Sequence, residues 1–314
     1  MLSVAKQLYG NAWIFQEPLH FVQHDNDCTM SYQAIYEAYA PIYDAIGQGQ
    51  FSTRMAAWAL ARLAENDIRP AHVLDLACGT GEAALAFAAT GCEVAGVDRS
   101  AAMLEIARGK ARDAGYKIEF LHGDMRELPI EAERLQTKDQ RSQANTFTSF
   151  VFRPSSFDLV TCFFDSMNYL VDDGDLDRVY AGVARLLRSG GYLLFDLNTA
   201  AEYATWDERD CVTHDGRDCL VYNQLNYDPD ARLARGRIVW FVRELDRWWR
   251  GEETHVERAW GDDEVRAALA GAGLALVGRY DLTGGIAAED SLRVIYVARR
   301  ADAATDNLER GTQS

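Results

Sequence analysis

A short glycine-containing turn constrains the fold of this chain more than any other feature. Residues 73–82 read Val-Leu-Asp-Leu-Ala-Cys-Gly-Thr-Gly-Glu. We expect the apolar run to form a buried strand and the residues after Gly81 to begin a helix. Glycine allows a sharp turn and lets a ligand approach bare backbone. A strand, a glycine turn and a helix in this order are typical of a nucleotide-binding α/β domain, and either a dinucleotide or S-adenosylmethionine would fit such a turn.

The rest of the chain alternates strand-like and helix-like segments, which predicts a mostly parallel sheet with helices on both faces. We expect a doubly wound α/β fold with seven strands. A Gly-Gly pair at 190–191 is expected to end the fifth of six predicted helices. The predicted helices are 32–44, 53–66, 81–89, 101–114, 176–188 and 262–272, and the predicted strands are 72–77, 93–97, 117–121, 157–163, 192–197, 275–281 and 292–298.

Two segments interrupt this alternation. Residues 131–156 are polar and longer than a connection requires, so we interpret them as an insertion loop. Residues 209–260 are rich in Val, Tyr, Thr and Trp and contain turn signals, which predicts an antiparallel β lid. The predicted domains are an N-terminal extension (1–30), a cofactor-binding domain (31–208 and 261–300), the lid or substrate subdomain (209–260) and a disordered tail (301–314).

Composition excludes several classes of function. The chain has 48 acidic and 32 basic residues, a net charge of −16, which disfavours nucleic acid and anionic membranes as partners. We find neither a secretory signal nor an apolar run of the roughly 20 residues that a membrane helix needs. The six cysteines show no Cys-x-x-Cys spacing, so we expect reduced thiols, no metal site and a cytoplasmic location.

The residues around the turn favour one of the two ligands. Gly79, Gly81 and Ala84 match the dinucleotide pattern, but Asp98, which follows the second strand, would bind a ribose in either case. Asp75 and Glu82 place two negative charges near the helix start, where a pyrophosphate would bind. They suit a ligand that carries an ammonium and a sulfonium. The alternative for Asp75 is a buried carboxylate that accepts hydrogen bonds from nearby amides.

These motifs resemble the class I S-adenosylmethionine-dependent methyltransferases. The matching segments, in order, are 73–81, 94–100 with Met103, 123–126, 157–163 and 187–192. The segment 36–44 and the lid also resemble glycine N-methyltransferase and the N-methyltransferases of antibiotic sugars. The resemblance covers roughly residues 36–299 and implies S-adenosylmethionine as cofactor.

The resemblance implies eleven cofactor-binding residues. Met103 has an alternative role in the core, and Asp124 could instead cap a turn. The implied contacts are Asp75, Gly79 and Gly81 beneath the methionine end, Asp98 on the ribose, Arg99 and Met103 beside the adenine, Asp124 and the Met125 amide on the adenine edge, Phe163 beside the methionine portion, and Tyr36 and Tyr43 closing over the cofactor.

The acceptor is expected to be a small molecule, and an amine nitrogen is favoured over oxygen. Such an amine must lose a proton, and Asp165, Tyr36 and His255 are the candidate bases, none of them preferred. His255 could instead be a surface or sheet residue of the lid, and Asp165 could cap the helix after it. The candidate substrate contacts, at the carboxyl ends of strands, are Phe164, Asp165, Asn168, Tyr169 and Asn198.

Two alternatives remain open at the level of sequence. An NAD(P)-dependent oxidoreductase would use the same glycine turn, and a protein without turnover could bind S-adenosylmethionine. The oligomeric state and the roles of 1–30 and 131–156 are not predicted.

Overall fold

The computed structural model describes residues 35–130, 152–206 and 208–301. In chain order the strands are His72–Leu76 (β1), Glu93–Asp98 (β2), Ile118–His122 (β3), Phe157–Cys162 (β4), Leu187–Asn198 (β5), Arg209–Asp215 (β6), Cys219–Asp228 (β7), Leu233–Glu244 (β8), Arg247–Arg258 (β9), Leu274–Tyr280 (β10) and Arg293–Arg300 (β11). The helices are Ala40–Tyr43 (α1), Gln50–Ala64 (α2), Glu82–Ala89 (α3), Ala101–Asp113 (α4), Asp175–Leu186 (α5), Ala200–Tyr203 (α6) and Asp262–Gly271 (α7). None of the helices in these ranges is both long and apolar enough to cross a membrane.

Seven strands form the main sheet, in the order β10-β11-β5-β4-β1-β2-β3. The strands from β5 to β3 in that order pair in parallel, whereas β11 runs antiparallel to both β5 and β10. Successive side chains of a strand point to opposite faces. Accordingly, Val73 packs in one hydrophobic cluster, and Leu74 and Leu76 pack in another. The predicted doubly wound, mostly parallel sheet is confirmed.

The second sheet is antiparallel and consists of β6, β7, β8 and β9 in chain order. It occupies most of the segment 209–260, for which antiparallel strands were predicted. Val221 and Trp240 of this sheet are buried together with Tyr39. We call residues 35–49 the N-terminal strap, and this contact joins the strap to the second sheet.

The strap differs from its predicted form. A helix was expected over 32–44, but within the described part only Ala40–Tyr43 is helical. Tyr36 has a φ of +65°, a left-handed conformation that a right-handed helix cannot contain. The strap amides find a partner elsewhere, because the Glu253 carboxylate accepts from the N–H groups of Tyr36, Ala38 and Tyr39 at 2.7–3.2 Å.

The fifth predicted helix ends earlier than expected. It terminates at Leu186, and Gly190 lies inside β5 instead of ending the helix. The N–H groups of Ser155 and Ser156 donate to the carbonyls of Arg185 and Leu186 at 2.8 and 2.9 Å. These bonds satisfy two of the last helical carbonyls, so the chain can become extended without a glycine cap.

The predicted insertion is described only at its ends. The Phe152 N–H donates to the Pro129 carbonyl at 2.7 Å, and Ile130 pairs with Phe152 in a parallel bridge. Phe152 is buried, as expected for an aromatic anchor. Residues 131–151, the extension 1–30 and the tail beyond Ala301 lie outside the described residues.

Candidate functional site

A cleft lies at the carboxyl ends of β1, β2, β3 and β4, where ligands bind in open α/β sheets. Ten of the residues predicted for cofactor or substrate binding line it: Tyr36, Tyr43, Asp98, Arg99, Met103, Asp124, Met125, Phe163, Phe164 and Tyr169.

The glycine turn supports one wall of the cleft. Gly79 and Gly81 have φ angles of +53° and +82°, which favour glycine. A Cβ on Gly81 would lie 3.0 Å from the Ala107 Cβ and 3.1 Å from the Phe120 Cζ, whereas a Cβ on Gly79 would meet nothing within 4 Å. Neither glycine lines the cleft, and Ala77 and Cys78 of the same turn do. The glycines therefore position the turn.

We expect Gly81→Ala to destabilise the protein by about 1–3 kcal/mol, because alanine is strained at this φ and its methyl group has no room. The matched control is Gly109→Ala in α4, whose Cβ would meet only Arg112 at 3.9 Å. That change should raise stability by up to about 1 kcal/mol through helix propensity. Chemical denaturation measures both. Equal stabilities for the two variants would contradict this account of the turn.

Asp98 ends β2 and joins it to the glycine turn. Its Oδ2 accepts from the Gly79 N–H at 2.7 Å, and its Oδ1 accepts from the Ser100 N–H at 2.8 Å. Burial raises the pKa of this carboxyl, although the backbone hydrogen bonds oppose that shift. Each carboxylate oxygen retains further acceptor capacity, and the residue faces the cleft. Asp98 can therefore accept hydrogen bonds from two hydroxyl groups of a ligand.

Asp75 does not line the cleft. It is buried, and its Oδ1 accepts from the Thr161 hydroxyl at 2.8 Å. This corrects the expectation of a direct contact with a ligand and supports the alternative of a buried carboxylate. The negative charge at the start of α3 comes from Glu82, whose carboxylate shares Lys110 with Asp44 at 2.6 and 2.7 Å. Two carboxylates and one ammonium leave this end of the cleft unsuited to pyrophosphate.

Burial raises the pKa of Asp75 to about 7, so between its unfolded pKa near 3.8 and pH 7 the folded protein binds more protons than the unfolded chain. The stabilisation that comes from protonated Asp75 is fully present below pH 4. It is lost as the pH rises to 7, by up to about 1.4 kcal/mol per pH unit. We expect the difference in unfolding free energy between wild type and Asp75→Asn to fall over this range. Urea denaturation at several pH values measures it, and a difference that does not change with pH would refute the assignment.

Asp124 occupies a turn-capping position. It precedes a short 3₁₀ helix, Met125–Glu127, and its Oδ1 accepts from the Arg126 N–H at 2.9 Å. Its carboxylate also binds the Arg126 guanidinium at 2.6 Å and lies 3.5 Å from Arg99. Burial opposes ionisation, but Arg126 outweighs it and lowers the pKa of Asp124. The alternative of a turn cap is therefore seen, and a contact between Asp124 and adenine remains a prediction.

Aromatic rings line the cleft beside the residues that follow β4. The Tyr36 ring lies 6.0 Å from the rings of both Tyr43 and Tyr169, and Phe164 stacks on Phe51 at 4.9 Å. Aromatic faces attract cations such as an ammonium or a sulfonium, by about 0.5–2 kcal/mol. This part of the cleft is therefore the better place for a positively charged reacting centre.

A hydrogen-bond chain leads from these aromatic rings into the interior. The hydroxyls of Tyr36 and Tyr169 are 2.8 Å apart, and the Tyr169 hydroxyl is 2.8 Å from the His255 Nδ1. The His255 Nε2 lies 3.3 Å from the Glu253 Oε2. From the sequence, His255 was a candidate base or, alternatively, a surface or sheet residue of the lid. The structure buries it behind the cleft, in contact with a cleft-lining tyrosine.

Glu253 was not predicted as part of the site. Glu253, His255 and Glu257 alternate along β9, and all three are buried. Residues two apart in a strand share a face, so this alternation was the available signal. It does not reveal the partners of Glu253, because they lie more than 210 residues away in the strap.

Asp165 belongs to a buried ion cluster and not to the cleft wall. Its carboxylate is 2.7 Å from the Arg293 guanidinium, which also pairs with Asp196. The Asp196 carboxylate accepts from the N–H groups of Phe164 and Asp165 at 2.7 and 3.0 Å, and both of those residues have positive φ. Its side chain makes no cap to the following 3₁₀ helix, Ser166–Tyr169. This corrects both interpretations of Asp165, since its charge is paired with arginine.

Asn168 and Asn198 do not line the cleft either. Both are buried. The Asn168 amide donates to the carbonyls of Asn198 and Arg258 at 3.0 and 2.8 Å, and its oxygen accepts from the Asn198 N–H at 3.0 Å. These bonds tie β5 to the end of β9. They correct the expectation that the two asparagines contact a substrate, because their polar groups are used internally.

Three comparisons relate the chain to known proteins. A family model described as a methyltransferase domain matches residues 69–215. A putative methyltransferase of Geobacillus is 30% identical over 232 residues, which are 73% of this chain and 84% of that protein. The structure resembles an S-adenosylmethionine-dependent methyltransferase from Clostridium acetobutylicum, with a TM-score of 0.70, 24% identity and coverage of 85% and 99% of the two chains. It also resembles the sugar N-methyltransferase KedS8 from Streptoalloteichus, with a TM-score of 0.63, 21% identity and coverage of 90% and 100%.

Proposed function

This chain belongs to the S-adenosylmethionine-dependent methyltransferases, and on that premise we propose that it methylates an amine nitrogen of a small molecule. S-adenosylmethionine supplies an activated methyl group, so the protein has to supply position and electrostatics. We also propose that the predicted site residues bind the cofactor and the acceptor, and that the protein acts in the cytoplasm.

The cleft fits the methyl donor in the chemistry of its walls. Asp98 offers a carboxylate for the ribose hydroxyls, and Met103 and Met125 offer apolar contacts for the adenine. Phe163 and Phe164 would lie toward the methionine end. The net negative group formed by Glu82, Asp44 and Lys110 suits the ammonium of the methionine portion better than a phosphate. The same group argues against a nicotinamide dinucleotide.

The Tyr36 hydroxyl is the observation that favours an amine acceptor. It belongs to a cleft-lining residue and lies 2.8 Å from the Tyr169 hydroxyl, and when its proton is shared with Tyr169 the Tyr36 oxygen serves as a hydrogen-bond acceptor. An amine N–H can donate to that oxygen while its lone pair points at the methyl group. The surrounding aromatic rings stabilise the positive charge that the nitrogen gains during transfer. The fold likeness to a sugar N-methyltransferase is compatible with this acceptor.

Matched amine and alcohol pairs test the proposal. We would incubate the protein with S-adenosylmethionine and pairs that differ only in the reacting group, such as glucosamine with glucose and benzylamine with benzyl alcohol, and measure product mass. The proposal predicts that products appear only with amines. Methylation of the alcohols or of phenols in preference to amines would overturn it.

A further inference from the structure

We propose that His255 is the terminal proton acceptor for methyl transfer and receives the proton of the acceptor through Tyr169 and Tyr36. This inference rests on the proposed function, since only an acceptor that carries a proton needs such a path. Tyr36 contacts the substrate, whereas Tyr169 and His255 act through it. His255 lies in the second sheet, so the lid would supply the end of the proton path.

The chain of contacts is continuous from the cleft to the interior. The Tyr36 and Tyr169 oxygens are 2.8 Å apart, and the Tyr169 oxygen is 2.8 Å from the His255 Nδ1. Both distances are normal for hydrogen bonds. The Tyr36 ring is also 4.8 Å from the His255 ring, at an interplanar angle of 82°. His255 is only 3% exposed. A proton that reaches it is therefore separated from bulk water by the residues of the relay.

The charge beside His255 favours one direction for the chain. The Glu253 Oε2 lies 3.3 Å from the His255 Nε2 without forming a hydrogen bond, and a negative charge at that distance favours a proton on Nε2 over one on Nδ1. The Nδ1 is then the acceptor, and the Tyr169 hydroxyl donates to it. The Tyr169 oxygen in turn accepts from the Tyr36 hydroxyl. All three groups therefore point protons away from the cleft and toward the histidine.

Glu253 is held in place for this role. Its two oxygens accept three strap N–H groups, including that of Tyr36 itself. The carboxylate therefore positions both ends of the relay, the tyrosine through its backbone and the histidine through its ring. When His255 becomes an imidazolium, Glu253 supplies the compensating charge.

The two tyrosines pass the proton on as neutral hydroxyls. Burial raises the pKa of both Tyr36 and Tyr169 well above the usual range, so neither acts as a free base near neutral pH. The imidazole of His255 is the member of the chain that offers a nitrogen lone pair, on the Nδ1 that faces Tyr169. The relay therefore needs His255 as the group that finally holds the proton.

The amine lone pair forms a nitrogen–carbon bond with the methyl group as the carbon–sulfur bond breaks, and the pair of that bond stays on sulfur. The methylated nitrogen gives its N–H proton to the Tyr36 oxygen, the Tyr36 proton moves to the Tyr169 oxygen, and the Tyr169 proton moves to the His255 Nδ1. The products are the neutral methylated amine, S-adenosylhomocysteine and an imidazolium beside Glu253.

Two other charged groups lie close to the relay, and one of them, Glu257, also interacts with the Tyr169 hydroxyl. Burial raises the pKa of Glu257 to about 8, and its carboxyl binds the Tyr203 hydroxyl at 2.5 Å. Asp165 is paired with Arg293. The titratable and charged groups that face the relay are Glu253 and Glu257 from β9, Asp165 and Arg293 from the ion cluster, and Tyr36, Tyr43 and Tyr203.

The test combines an isosteric variant with a break in the chain. In His255→Asn the side chain still accepts from Tyr169 but cannot take up a proton, and in Tyr169→Phe the chain is interrupted. With the amine that is turned over best by wild type, each variant should lower kcat by about 100-fold, with KM and the affinity for S-adenosylhomocysteine unchanged. The control is His72→Gln at the amino end of β1, which should keep the wild-type rate.

The double variant and the pH profile separate a relay from simple packing. His255→Asn combined with Tyr169→Phe should lose no more than either change alone, because both break one path. The fall of kcat at acidic pH should disappear in His255→Asn. Wild-type kcat in His255→Asn, or a double variant that loses the product of the two single effects, would overturn the relay.

Nitrogen-15 NMR of labelled histidine tests the relay without any acceptor. Neutral His255 should carry its proton on Nε2, and Tyr169→Phe should shift the Nδ1 resonance. A proton on Nδ1 would refute the relay even if amines are methylated. If no amine is methylated but the tautomer is as predicted, the proposed acceptor fails while the hydrogen-bond chain stands.

Discussion

Asp98→Ala should weaken S-adenosylhomocysteine binding by about 30- to 1000-fold, which corresponds to about 2–4 kcal/mol. The change removes the only cleft-facing carboxylate at the end of β2 and also the acceptor for the Gly79 and Ser100 N–H groups. The ligand therefore loses charged hydrogen bonds, and the turn beneath it loses its link to β2. Isothermal titration calorimetry measures the loss of affinity directly.

The matched control for this prediction is Asp113→Ala. Asp113 ends α4 and is well exposed, with only a weak ion pair to Arg112 at 3.8 Å. Its removal should leave the affinity within twofold of wild type. Circular dichroism of Asp98→Ala should still show a folded protein. A folded Asp98→Ala variant that binds S-adenosylhomocysteine as wild type does would mean that the ribose lies elsewhere.

The largest loss of stability is expected for Arg293→Met. Arg293 is mostly buried, pairs with Asp165 and Asp196, and lies over the rings of Phe51 and Phe164. Methionine retains the apolar length but leaves two buried carboxylates without a counter-charge. Breaking a buried ion pair from one side costs about 3–5 kcal/mol. Urea denaturation should show this loss in the free energy of unfolding.

Two further variants make the assignment to charge specific. Arg54→Met, at an exposed position of α2, should change stability by less than about 0.5 kcal/mol. Adding Asp165→Asn to Arg293→Met should recover part of the loss, because one of the two uncompensated charges is removed. If Arg293→Met is as stable as Arg54→Met, the cluster does not hold the Phe164–Asp165 turn.

Much of the cofactor side of the cleft was predictable because it depends on local sequence. An apolar run, a glycine turn and an acidic strand end are short-range patterns, and parallel strands bring their carboxyl ends together. Asp98, Arg99, Met103 and Phe163 accordingly lie on the cleft wall. Asp75 does not line the cleft because it lies inside the buried strand β1, whereas Ala77 and Cys78, just after the strand, do.

The acceptor side was less predictable because long-range contacts determine it. The sequence made Asp165 a candidate substrate contact. In the structure, β11 places Arg293, which lies 128 positions later in the chain, against it. The sequence also made Asn168 a candidate substrate contact. In the structure, its amide donates to a carbonyl at the end of β9. The sequence predicted a helix over 32–44, whereas Glu253 holds the described part of the strap in a largely non-helical form. Each of these partners is invisible to a pattern of neighbouring residues.

Calorimetric titration of the wild-type protein with S-adenosylhomocysteine, beside NADH and NADPH, tests the assignment of the cleft most directly. We predict micromolar binding of S-adenosylhomocysteine with one site per chain and no heat of binding from either nicotinamide cofactor. Binding of NADH or NADPH without binding of S-adenosylhomocysteine would contradict the assignment. It would show that the charges of Glu82, Asp44 and Lys110 do not exclude a pyrophosphate.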